Sequence, residues 1–209
     1  MPRRDTRTRI LVTSLLLFND HGEPNTTTNE IAVEVDISPG NLHYHFRKKA
    51  DLVEALLAEF QADVRRILHP PVSEASIDEF WFFLHMLLET LVAYRFLLRD
   101  METLIATYPK VRRALRAFSR GLTAALELYV DALRRGGALS IDGGDVRVVS
   151  RNVVVIALFS ERFDEVSGAG SSAEDSALRV ARSVLAVLQP YASEDAVTHW
   201  AELSGHYQH

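Results

Sequence analysis

Cysteine is absent from the 209 residues, which excludes disulfide staples, thiolate metal sites and cysteine nucleophiles. No apolar run approaches the roughly 18 residues that a membrane-spanning helix needs, so no membrane partner is expected. The opening "MPRRDTRTRILVTSLLLF" sets arginines before an apolar run from Ile10 to Phe18, as an export signal does. Asn19, Asp20, His21, Gly22 and Glu23 then follow without a small-x-small cleavage site, and the reading is a cytoplasmic chain. Basic excess is lacking too: the net charge is −5, so any contact with nucleic acid must rest on a local patch. Alternating strand patterns are nearly missing, and there is no internal repeat.

What is there is apolar periodicity. The chain is 47% hydrophobic, enough to bury a core, and its apolar residues recur at helical spacing in almost every segment, which predicts an all-α protein. Helix 1 runs from Asp5 to His21, with Gly22 where a helix end favours a left-handed residue. Thr27 followed by Glu30 makes a capping box for a second helix, about Thr28 to Val35, that buries Ile31, Ala32 and Val35. Asp36 and Ile37 leave only a tight turn before Ser38, a good N-cap, and Pro39, which suits a first helical position. Further helices are expected at about 50–68, 76–91, 93–107, 109–135, 145–165 and 173–189, with a possible terminal one from Ser193. The boundary between an N-terminal domain, 1–50, and a larger helical one, 51–209, falls in the turn entering the fourth helix.

The third helix opens on "SPGNLHYHF", residues 38–46. Leu42 and Phe46 lie four apart and face inward, which turns most of Pro39, Asn41, Tyr44 and His45 outward. His43 and His45 are two apart, about 200° round a helix, so they cannot share a metal as an i, i+4 pair can. No acid stands at helical spacing from them and no nucleophile is evident, so neither a metal, a cofactor nor enzymatic catalysis is expected here. Two short helices joined by a tight turn, the second polar outward, are the helix-turn-helix arrangement, whose second helix enters a DNA major groove about 12 Å wide. Gly40 then matters for having no side chain near the DNA backbone. Arg3, Arg4, Arg7 and Arg9 stand before and at the start of helix 1 and Arg47, Lys48 and Lys49 follow helix 3, although residues 1–60 hold nine acids against seven bases. The basic patch is placement, not excess.

"ILVTSLLLFNDHG", "TTTNEIA" and "ISPGNLHYHFRKKADLV" stand in the order and spacing of the TetR family of bacterial transcriptional regulators, and over about residues 7–60 the chain resembles that family. The resemblance implies that Thr28 and Ser38 bond phosphates at helix N-termini, that Pro39, Gly40, Asn41 and Tyr44 approach base edges or nearby backbone, and that Lys49 holds a phosphate. His43 stands where the family commonly has Tyr and can still donate to a phosphate; His45 completes the DNA-facing set or packs at the helix end. Asp36 stands where the family usually has Gly, and Asp tolerates the left-handed conformation the turn requires.

Beyond residue 60 only architecture carries over: the resemblance implies a helical domain that dimerises and holds a small effector. "NVVVIALF", 152–159, and "ALRVARSVLAVL", 177–188, are apolar on more than one face, so the helices near 145–165 and 173–189 are expected to form a homodimer interface. The aromatic stretch 79–104 reads either as ordinary core or as the lining of an apolar cavity, with His85, Glu89, Tyr94 and Phe159 as candidate effector contacts. Arg95, Arg99, Asp100 and Glu102 read as a solvated, ion-paired face. The function expected is a ligand-responsive dimeric regulator, a repressor, on a palindromic operator in double-stranded DNA. A regulator of this kind without a small-molecule effector, and a helical enzyme or carrier that does not bind DNA, are the alternatives.

Overall fold

The computed structural model describes residues 3–69, 73–168 and 173–205. Its helices are α1 (Arg3–His21), α2 (Thr28–Val35), α3 (Pro39–His45), α4 (Lys49–Ile67), α5 (Ile77–Ala93), α6 (Phe96–Arg99), α7 (Met101–Thr107), α8 (Pro109–Arg135), α9 (Gly143–Ser167), α10 (Ala173–Leu188) and α11 (Val197–Gly205). The described residues include no strand, only an antiparallel bridge between Leu139 and Ala192. No helix among them is long and apolar enough to cross a membrane. The chain folds as two compact units, Met1–Asp63 with Ala93–Arg116, and Val64–Val92 with Ala117–His209.

In the first unit α1 contributes Ile10, Leu11 and Phe18 to a core that also holds Ile31, Ala32, Leu42, Phe46, Leu52 and Leu56. Gly22 ends α1 at φ 92°, and its N–H bonds the Phe18 carbonyl at 3.1 Å; a left-handed glycine satisfies a carbonyl that the helix leaves without a partner. The Phe18 ring also meets Phe96, centroids 5.5 Å apart.

The helix expected over 93–107 is broken in two. Asn19 Oδ1 accepts the Phe96 N–H at 3.1 Å, and Asp100, at φ −94° and ψ 16°, separates α6 from α7. Nor are Arg99 and Asp100 a solvated face: their side chains are only 15% and 13% exposed. The Arg99 guanidinium donates to the carbonyls of Asn19 and Phe18, both at 2.6 Å, and Asp100 Oδ2 accepts the Glu23 N–H at 2.7 Å. A helix C-terminus exposes carbonyls that need donors, and here a cation from far along the chain supplies them.

In the second unit α5 begins with its own capping box, Ser76 with Glu79, in which the Ser76 N–H donates to Glu79 Oε2 at 2.8 Å and the Glu79 N–H to Ser76 Oγ at 3.1 Å. Its inner face carries Phe80 and Phe83; Phe83 stacks on Tyr129 at 4.4 Å and Phe80 meets Trp200 at 6.2 Å. The terminal helix is therefore part of the core: Trp200 is fully buried, and its indole N–H donates to the Ala138 carbonyl at 3.3 Å. That helix starts at Val197, after a turn at Ser193. Helices α9 and α10 pack against each other; Val149 and Val153 of α9 and Val180, Ala181, Val184 and Leu185 of α10 are all buried, and Arg179 pairs with Asp164 at 2.8 Å.

Candidate nucleic-acid interface

In the segment 26–49 local chemistry starts α2 and α3, and the end of α2 is held both locally and from α1. Thr27 caps α2: its N–H donates to Glu30 Oε2 at 2.6 Å while the Glu30 N–H donates to Thr27 Oγ1 at 3.2 Å. These bonds, the backbone one first, hold the Glu30 carboxyl below its usual pKa. Asp36 closes α2 in the left-handed region, φ 57° and ψ 54°, with its N–H on the Ala32 and Val33 carbonyls; the turn accepts Asp as the residue type allows. Arg9 adds a further cap, donating to the Val35 carbonyl at 2.6 Å. Ser38 Oγ then accepts the Asn41 N–H at 3.2 Å, and Pro39 begins α3.

Leu42 and Phe46 anchor α3 at 0% and 3% exposure, and the Arg7 guanidinium sits 4.9 Å from the centroid of the Phe46 ring. The side chains of Arg3 and Arg4 lie outside the described residues. With the anchors inward, Pro39, Gly40, Asn41, His43 and Tyr44 are exposed together, and His45 is half-buried. Tyr44 is 63% exposed, edge-on to His45 with centroids 5.3 Å apart. His43 Nδ1 lies 3.2 Å from the Arg47 carbonyl, a bond that fixes the ring when Nδ1 carries the proton. Thr28 is half-buried at the first turn of α2, where backbone N–H groups are unpaired.

Gly40 is informative because nothing inside the protein demands it. A Cβ there would meet only Ser38 Oγ, at 4.0 Å, and the backbone is not left-handed. Helices lose stability at glycine relative to alanine, and no internal contact requires the glycine here.

Lys49 is placed differently from its neighbours. Its ammonium donates to the Glu23 and Thr26 carbonyls at 2.8 and 3.1 Å and pairs with Glu23 Oε1 at 3.0 Å. Glu23 is itself buried, and Tyr108 Oη donates to its carboxylate at 2.6 Å. Burial of the phenol itself, then its hydrogen bond to the Glu23 carboxylate and that group's charge, push the Tyr108 phenol well above its usual pKa. The Glu23–Lys49–Tyr108 cluster was not visible in the sequence, where Lys49 and Tyr108 lie 26 and 85 residues from Glu23.

The four candidate effector residues are found in three settings. His85 and Glu89 pair with each other at 3.1 Å, one turn apart on α5, both substantially exposed, and Trp81 stacks on His85 at 5.3 Å. Tyr94 belongs to the first unit, where its hydroxyl donates to Asp63 Oδ2 at 2.9 Å and its ring meets Phe60. Phe159 points outward from α9, 43% exposed. A groove of about 420 Å³ in the second unit is lined instead by His69, Asp78, Glu79, Phe82 and Tyr129. Among the described residues no group of three or more His, Asp or Glu could hold a metal ion.

A helix capped by Ser-Pro, anchored by two apolar residues and polar outward, following a capped helix across a left-handed turn, defines a helix-turn-helix protein. The profile described as "Bacterial regulatory proteins, tetR family" matches residues 10–56, and that described as "TetR: Bacterial transcriptional repressor" matches residues 59–200. The chain belongs to the TetR family of bacterial transcriptional regulators. Over its full length it is similar to the solved structure of a TetR-family transcriptional regulator from Marinobacter aquaeolei VT8, at 30% identity and a TM-score of 0.87, with both chains wholly covered. A SmeT–triclosan complex shares the fold at 18% identity and a TM-score of 0.59, covering 92% of this chain and 94% of that one. Among curated proteins, the probable HTH-type transcriptional regulator YttP of Bacillus subtilis (strain 168) is 31% identical over 71 residues, about a third of either protein.

Proposed function

We propose that this chain is a cytoplasmic, dimeric repressor that reads a palindromic operator through α3 and releases it on binding a small effector. The observation that carries the reading is the face of α3: every residue from Pro39 to Tyr44 except Leu42 is exposed, around a glycine with no internal purpose. On this reading Thr28 and Ser38 approach phosphates with the N-terminal N–H groups of their helices, while Pro39, Asn41 and Tyr44 meet base edges, flanked by His43 and His45. The functional division falls near residue 50, where α4 begins.

Dimerisation is supported by α9. Val148, Val155, Phe159, Phe163 and Val166 form a stripe along it, each between 43% and 83% exposed, and Leu178 of the adjoining α10 is 36% exposed. Side chains of this size left in water at helical spacing mark a partner surface. A second copy would bury the stripe and set two α3 helices on two half-sites. Phe159 then serves the interface and not the effector.

Effector binding is supported by the groove beside Phe82 and Tyr129, and the triclosan held by SmeT is one such ligand in a protein of this fold. Repression follows the description of the family profile over residues 59–200. Selecting bound sequences from random duplex DNA tests the proposal: recovery of a two-fold symmetric site supports it, and salt-insensitive or absent duplex binding defeats it.

A further inference from the structure

The geometry points to Lys49 as an internal strut that positions the DNA-facing helices, with the phosphate contact at this end of α3 made by Lys48; we infer this from where the three ammonium protons of Lys49 go. The inference rests on the reading of α3 as a DNA-binding helix and assigns roles within it. An ammonium has three donors and no acceptor. Those of Lys49 meet three oxygens of the α1–α2 loop: the Glu23 carbonyl, the Thr26 carbonyl and Glu23 Oε1.

Turning outward to a phosphate would remove at least one of these bonds. The Glu23 side chain is 3% exposed, and a buried carboxylate deprived of its cation is strongly destabilised. Glu23 is also held from other directions: Tyr108 donates to Oε1 and Asp100 accepts its N–H. Lys49 thus ties a fixed loop to the first residue of α4. That loop leads directly into the capped N-terminus of α2, and α4 follows directly on α3. The strut thereby sets the separation between the capped N-terminus of α2 and the start of α4, beside which Lys48 stands.

Lys48 has none of these commitments. It is exposed, and its ammonium has no ion-pair partner among the described residues; only its backbone N–H is engaged, donating to Asp51 Oδ2 at 3.2 Å. A cation that neutralises a phosphate shows itself in the salt dependence of binding, whereas a residue that only positions others does not.

The experiment measures the slope of log K against log salt on the duplex recovered by selection, together with thermal midpoints without DNA. Three variants are compared with the unchanged chain: Lys48→Ala, Lys49→Ala, and Lys49→Met combined with Glu23→Gln. Lys48→Ala should flatten the slope by about 0.9 for each phosphate that is no longer neutralised and leave the midpoint in place. Lys49→Ala should lower both the midpoint and the affinity while keeping the slope. The double variant, which removes both charges, should regain midpoint over Lys49→Ala and again keep the slope. A slope flattened by about 0.9 or more in either Lys49 variant, or a midpoint unmoved by Lys49→Ala, overturns the inference. If the unchanged chain shows no salt-dependent duplex binding, the DNA-binding reading and the assignment of Lys48 fall together; the thermal midpoints still decide whether Lys49 is a strut.

Discussion

Two residues in the helix-turn-helix carry backbone conformations or side chains at odds with local stability, and each discloses a different constraint. At Gly40 the protein forgoes the better helix former although 4.0 Å separates a would-be Cβ from its nearest neighbour. Gly40→Ala should therefore raise stability, by about 0.5 kcal/mol, and weaken operator binding because the added methyl meets the DNA backbone. Thermal unfolding and duplex titration on one preparation check both signs; a variant that gains stability and keeps full affinity removes the reason for the glycine. At Asp36 the constraint is internal. A left-handed φ of 57° strains any residue with a Cβ, and Asp36→Gly should stabilise by about 0.5–1 kcal/mol, whereas Asp36→Val should destabilise by more. The turn at Asp36 was legible in the sequence, because turn and cap chemistry acts over three or four residues. Lys49 was not, because its side chain answers to Glu23, and nothing local in "RKKADLV" distinguishes an inward lysine from an outward one.

Helices α2 and α5 begin at capping boxes, and these two boxes should make the fold sensitive to acid. The Thr27 and Ser76 N–H groups and hydroxyls hold the Glu30 and Glu79 carboxyls below their usual 4.5. A folded-state pKa lower than the unfolded one contributes stability that is complete above the unfolded value and is lost as pH falls through the folded one. Glu30→Gln should thus flatten the acid limb of the stability profile below about pH 5 and change little at neutral pH, where Gln still accepts in the box. Unfolding midpoints across acidic buffers check this; an unchanged acid limb would show that the box does not titrate. Where an element is broken by long-range contacts, local reading fails: 93–107 has continuous helical periodicity, and the break at Asp100 goes with bonds to Asn19, Phe18 and Glu23, 77–81 residues away. Arg99→Ala removes two bonds to those carbonyls and a partner of Asp100, and should cost about 2–3 kcal/mol, read by chemical denaturation.

For the whole molecule, the decisive question is how a single weakly basic face gains specificity. The first sixty residues carry more acids than bases, so one α3 helix has little nonspecific attraction to draw on. Two linked copies bind differently: once one half-site is held, the second meets its partner at high effective concentration, which raises affinity by about a hundredfold or more without any new kind of contact. On the proposed reading, the apolar stripe on α9 supplies the linkage. Phe159→Glu places a charge in the middle of that stripe, flanked by Val155 and Phe163, yet leaves the monomer's core alone because the side chain is already 43% exposed. The variant should keep its helical content and its unfolding transition per chain, sediment as a monomer, and lose about a hundredfold in affinity for a two-fold symmetric duplex while binding a single half-site as before. Sedimentation and titration against full and half operators separate these effects. A dimer that survives Phe159→Glu intact would move the interface elsewhere, and equal losses on the full and half sites would show that the substitution acts on α3 and not on the pairing of two chains.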